Sequence, residues 1–209
     1  MADDFDQLNP CREAEPIGNC GGVNCKAVLG EICIAGTVCG CPDGMRRATP
    51  NDVCRAVESW TIPLLVARKE KTNLVYNESF ANPQDVIYKS YTRNLEEGIG
   101  GCYPHTTLKN AFVSADVNEI QNPAVLNGSW ESGLYFNTTV HFRKGYFYIM
   151  TRPKFFSGAV RVPSDAYYQL VKYIVDRNGY EVGDSGLYLN EYQPDPFKPC
   201  FKVNPFLLV

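Results

Sequence analysis

Trp60-Thr61-Ile62-Pro63-Leu64-Leu65-Val66-Ala67 marks the point at which a chain of 209 residues changes character. Ahead of it the sequence is organised by cysteine: Cys11, Cys20, Cys25, Cys33, Cys39, Cys41 and Cys54, seven of the nine in the chain. Behind it only Cys102 and Cys200 remain, and apolar residues recur with the periods of strands and helices. The stretch itself reads as a strand. Pro63 pushes it toward a sheet edge or a bulge, because proline brings no N–H to a ladder.

Working forward, Asn82 is expected as the N-cap of a helix with Pro83 at its first position, Asp85 at the third and Gly98 as the stop. Ile87, Tyr91 and Leu95 form its buried stripe. Two strands follow. In one, Ala111, Val113, Ala115 and Val117 alternate with Phe112, Ser114, Asp116 and Asn118; in the next, Leu134, Phe136, Thr138, Val140 and Phe142 alternate with Tyr135, Asn137, Thr139 and His141. A second helix is expected from Ser164 to about Asn178, with Tyr167, Leu170, Val171, Ile174 and Val175 on one face and Gly179 ending it. A last strand covers Gly186 to Tyr192. The order β-α-β-β-α-β is the split plan of a ferredoxin-like α+β sandwich, with two helices on one face of an antiparallel sheet.

Working backward, the gaps from Cys20 read C-x4-C-x7-C-x5-C-x-C-x12-C, ending at Cys54. About 45 residues cannot bury enough apolar surface to be stable alone, so this part needs covalent staples or a metal. Zinc is disfavoured by the lack of a C-x2-C pair and of any histidine before His105. Disulfides remain, and they require an oxidising compartment. Two domains result, a disulfide module over residues 11–55 and a packed domain over residues 58–205. The net charge of −3 and the absence of any Lys/Arg run longer than two residues argue against a nucleic-acid partner. No apolar stretch approaches the ~20 residues of a membrane span, and the acidic first 18 residues lack the apolar centre of a signal peptide. Membrane attachment is therefore expected only through an anchor outside this chain.

The cysteine spacing resembles an EGF-like module. By that resemblance Cys20 pairs with Cys33, Cys25 with Cys39 and Cys41 with Cys54, although six cysteines alone allow 15 connectivities; Cys11 is left over. Asp4-Phe5-Asp6-Gln7 is similar to the D-x-D-[EQ] entry of calcium-binding EGF modules, which makes Asp4, Asp6 and Gln7 the calcium candidates; an acidic solvated terminus is the plainer reading, and no other cofactor is expected. The larger domain resembles the SEA domain, carried by the strand Ile62 to Ala67, the helix after Asn82-Pro83, the strands flanking Asn127-Gly128-Ser129, and the run Asn137 to Phe142. An EGF-like module running directly into such a domain is similar to the EGF and SEA arrays of nematode transmembrane matrix receptors, which link epidermis to cuticle at hemidesmosome-like attachments. Some SEA domains cleave themselves at a Gly-Ser followed by an apolar run. Here Gly128-Ser129 is followed by Trp130-Glu131-Ser132, so an intact loop is expected.

Three N-x-[ST] sequons stand at Asn77, Asn127 and Asn137, and occupancy of at least two is expected on a secretory route. Cys102 and Cys200 are expected to join each other. Neither His105 nor His141 has a Ser, Cys or Asp placed so that a relay can be read from the sequence. The resulting expectation is a non-enzymatic extracellular module of an adhesion receptor that binds extracellular matrix or a cell-surface protein, with glycans as a further ligand class. Two alternatives are a secreted protease inhibitor presenting Ile34-Ala35-Gly36-Thr37, and a self-cleaving SEA mechanosensor.

Overall fold

The computed structural model describes residues 17–126, 132–146, 162–194 and 201–202, and the chain divides into two compact units, Met1–Ala56 and Val57–Val209. Asp4, Asp6, Gln7, Cys11, Asn127, Gly128, Ser129 and Cys200 lie outside the described residues.

The first unit holds two hairpins, β1 (Ile17–Cys20) with β2 (Val23–Cys25), and β3 (Ile32–Ile34) with β4 (Val38–Gly40). Cys33 and Cys39 stand directly opposite each other in the second hairpin, so their side chains leave the same face. Each bonds to the first hairpin rather than to its neighbour: Cys33 to Cys20, and Cys39 to Cys25. A third disulfide joins Cys41 to Cys54. These are the pairs that the resemblance implies. Val23, Val28, Ile32, Ile34, Val38 and Val53 are all exposed, while Cys20, Cys25 and Cys54 are buried. Sulfur takes the place of an apolar interior in this unit. Loops of 13, 14 and 13 residues each remove about 3 kcal/mol of chain entropy from the unfolded state.

After β5 (Met45–Arg46), which pairs with the first residues of β6 (Arg55–Lys69), the second unit is built on the rest of β6. A short return strand, β7 (Thr72–Asn73), closes on the end of β6. Helix α1 (Val86–Cys102), β8 (Phe112–Gln121), β9 (Leu134–Arg143), α2 (Val162–Arg177) and β10 (Leu187–Leu189) follow. The sheet order is β10-β6-β9-β8 with antiparallel neighbours throughout; β11 (Tyr192–Gln193) pairs with β12 (Phe201–Lys202) apart from it. β6 and β9 pair over ten residues, from Val57 opposite Arg143 to Val66 opposite Leu134. Ile62, Leu64 and Val66 therefore share a face with Leu134, Phe136, Val140 and Phe142, and this face meets Leu95 and Ile99 of α1 and Leu170 and Ile174 of α2 in one core.

Pro63 fits within β6 because Leu65, two residues on, directs its N–H away from β9 to Gln193 Oε1 at 2.9 Å. The missing donor of Pro63 faces that same side, where no strand is paired to it. Gln193 is fully buried, and its Nε2 also donates to Leu65 O at 2.7 Å. One side-chain amide thus completes the ladder where β10 does not reach.

Three expectations need correction. The alternation expected in β8 is broken by bulges between Phe112 and Ser114 and between Val117 and Glu119. Phe112, not Val113, therefore stands opposite Phe142, stacked 4.4 Å from Tyr103. Helix α1 begins later than expected: Asn82 caps a turn, with its Oδ1 accepting from Gln84 N, and Asp85 is the N-cap, accepting from Ile87 N at 2.7 Å. Ile87 is consequently exposed, and Tyr88 is buried in its place. Gly98 does not end the helix. It sits inside α1, where a Cβ would lie 2.3 Å from Val182 O, and a Cβ on the facing Gly183 would lie 2.5 Å from Gly98 O. The glycine is required by backbone contact rather than by termination.

Gly98→Ala is expected to destabilise the protein by about 1–3 kcal/mol through overpacking. Gly100→Ala, two residues away with open space at its Cβ, is expected to stabilise it by about 0.5–1 kcal/mol. Urea titration of the two variants checks the opposite signs.

Candidate functional site

In the first unit, one link that is not sulfur is made by Glu31, buried at 6% exposure. Its Oε2 accepts the Lys26 backbone N–H at 2.6 Å, and Arg47 Nη1 donates to Oε1. The Lys26 amide first, and the Arg47 guanidinium second, hold the Glu31 carboxyl below the usual carboxylate range. The residues between β2 and β3 are thereby tied to those after β5. The loop Ile34 to Thr37, the inhibitor candidate, is a tight hairpin turn closed by Thr37 N–H on Ile34 O, with Ala35 and Gly36 both at positive φ. It is not an extended segment that a protease cleft takes as substrate.

On the sheet of the second unit, the face turned away from the helices carries rows of polar side chains. Ser59, His141 and Asp116 come from β6, β9 and β8. Ser59 Oγ lies 2.7 Å from His141 Nδ1, and His141 Nε2 lies 2.9 Å from Asp116 Oδ2. With a carboxylate on Nε2, the neutral ring carries its proton there, and Nδ1 accepts the Ser59 hydroxyl. This chain is not legible in the sequence, because residues 59, 116 and 141 meet only through the β6–β9 and β8–β9 registers, and a bulge in β8 sets one of them. His141 is buried at 3% exposure, while Ser59 is exposed. The neighbouring row holds Thr61 and Thr139, with Asn118 Nδ2 donating to Thr139 Oγ1 at 2.9 Å.

The far edge of β8 is guarded from α1. Glu96 Oε1 accepts Val117 N–H at 2.7 Å, and Tyr88 OH donates to Asn118 O at 3.4 Å. Burial raises the pKa of both side chains, and nearby carboxylates add to the effect. Beside this edge is a cleft of about 600 Å³ whose walls include Tyr76, Phe80, Pro83, Tyr88, Glu119 and Gln121.

Of the sequons, Asn77 is exposed and precedes a single turn of 3-10 helix, Glu78–Ala81; its Oδ1 accepts Ser79 N–H at 3.0 Å. Asn137 lies in the central strand β9, its Nδ2 donating to Glu119 Oε1 at 3.2 Å. Cys102 is a buried free thiol, and Cys200, its expected partner, lies outside the described residues. Its side chain points into the core at the end of α1 and is hydrogen-bonded to the Gly183 backbone, and burial pushes its pKa up to about 12. Among the described residues, the one cluster with metal-ligand spacing is Cys20, Cys25 and Cys39. All three sulfurs are spent on disulfides, which leaves no thiolate for an ion. No helix among the described residues is long and apolar enough to cross a membrane.

Residues 24–57, most of the stapled part, match a family described as TNF receptor-like domain. Over 202 residues the chain is 58% identical to the transmembrane cell adhesion receptor mua-3 of Caenorhabditis elegans. That alignment takes in 97% of this chain and 5% of the receptor, so the chain spans about one twentieth of the relative it matches.

Two measurements check the geometry. The lowered Glu31 pKa contributes stability that is present above the ordinary carboxylate pKa and lost as pH falls through the folded value. Glu31→Gln is expected to weaken the first unit near neutral pH and to flatten its acid limb, as read by hydrogen exchange of residues 17–54 between pH 3 and 7. Asp116→Ala leaves His141 Nε2–H buried without its acceptor and is expected to cost about 1–3 kcal/mol in urea unfolding.

Proposed function

We propose that this chain is part of the ectodomain of a cell-surface adhesion receptor, with the first unit EGF-like and the second a SEA-like ferredoxin-type sandwich. It acts by binding and mechanical linkage between a cell layer such as epidermis and its extracellular matrix or cuticle, and not by turnover. The observation that carries this reading is the 58% identity along nearly the whole chain to a transmembrane cell adhesion receptor.

Further support comes from each unit. The disulfide order of the first unit is the one that the EGF-like resemblance implies. The element order β-α-β-β-α-β and the sheet order β10-β6-β9-β8 fit the split βαβ plan. The Ser59–His141–Asp116 chain lies on a sheet face whose surrounding backbone N–H groups belong to a ladder with β9 at its centre. An acyl-transfer site needs free donors aimed at a developing oxyanion, so the chain is read here as a cross-strand clamp.

The protein secreted from insect cells, coupled to beads, is expected to be retained on a decellularised nematode cuticle preparation. Reduction and alkylation of the first unit should abolish that retention. Equal retention of the oxidised and reduced proteins, or of neither, contradicts the proposal.

A further inference from the structure

The sequon Asn77-Glu78-Ser79 is flanked in sequence by two residues of the cleft beside β8. Tyr76 precedes it and Phe80 follows it, and both line that cleft together with Pro83, Tyr88, Glu119 and Gln121. We infer that Asn77 carries an N-linked glycan whose innermost sugars lie in this cleft. The inference rests on the extracellular reading above and adds to it a modified atom and an occupant for the cleft.

Three features lead to it. Asn77 is exposed, and its Oδ1 is turned back onto the amide of its own Ser79. This leaves Nδ2, the atom to be modified, without a hydrogen bond among the described residues. Asn137 differs, since its Nδ2 donates to Glu119 Oε1. The cleft is also of a size that holds a small saccharide, about 600 Å³. Its chemistry suits a sugar. Tyr76 is half-buried and braced by Phe80 at 6.2 Å, which fixes a ring for the apolar face of a pyranose. Glu119 and Gln121, held to each other by a 2.6 Å bond, set a carboxylate and an amide at the other wall for hydroxyl and acetamido groups.

The modification requires a lipid-pyrophosphate-linked oligosaccharide donor, supplied by the secretory pathway. The bond from Asn77 Nδ2 to the sugar C1 forms as the C1–O bond to pyrophosphate breaks. The electron pair of that bond leaves on the pyrophosphate, and one amide proton is lost to base.

The test compares the wild-type chain with Ser79→Ala, which removes the sequon but keeps Asn77 and the backbone amide it caps. Both are secreted from insect cells, mapped by glycopeptide mass spectrometry and melted. The expected result is a glycan on Asn77 of the wild type and a midpoint about 2–4 °C above that of Ser79→Ala. This difference should survive trimming to a single N-acetylglucosamine and disappear in Tyr76→Ala. An unmodified Asn77 in protein whose Cys20 to Cys54 disulfides are formed overturns the inference and leaves the extracellular reading standing. A glycosylated Asn77 with no difference in melting overturns the seat in the cleft. Free thiols at Cys20 to Cys54 in the secreted protein overturn the extracellular reading itself.

Discussion

The hairpins of the first unit are too short to exclude water from one another, and the bonds from Cys33 to Cys20 and from Cys39 to Cys25 are what hold them face to face. A cross-strand cysteine pair that bonds outward, each member to a different strand of the other hairpin, fixes both the separation and the rotation of two small sheets. Valines and isoleucines that would form a core in a larger domain stay exposed around it. Folding of this unit is therefore tied to oxidation, and oxidation to the compartment in which the protein works. The extracellular reading and the glycan proposed on Asn77 both rest on that requirement.

The second unit has no such dependence. Its two crossover helices bury Leu95, Ile99, Leu170 and Ile174 on a sheet whose central pairing, β6 with β9, is regular over ten residues. Its free cysteine, Cys102, behaves as a small buried apolar residue at the end of α1. Where the sheet is incomplete, side chains complete it: the Gln193 amide at β6, and Glu96 and Tyr88 at the outer edge of β8. An edge strand covered in this way is protected from pairing with another chain.

Much of this was legible in the sequence. The i, i+3, i+4, i+7 face of α2 is unbroken from Tyr167 to Val175, and a period-2 run from Leu134 to Phe142 admits one strand register. The division near residue 56 follows from where cysteine stops and apolar periodicity starts. What was not legible depended on contacts between distant residues. A glycine inside a helix reads as a terminator until the facing Gly183 is known, and Asn82-Pro83 reads as a helix start until Asp85 is seen to hold the Ile87 amide. The bulges in β8 leave no local mark, yet they decide that Phe112 faces the core and that Asp116 reaches His141. Ser59, His141 and Asp116 are spread over 83 positions and are joined only by strand pairing.

The state of six sulfur atoms decides both the fold of the first unit and the extracellular reading. Alkylation of the unreduced, denatured protein followed by peptide mapping reads them directly. The prediction is that Cys102 takes up the reagent while Cys20, Cys25, Cys33, Cys39, Cys41 and Cys54 are recovered as three linked pairs. Alkylated cysteines among those six, or peptides linked in a different order, would contradict it.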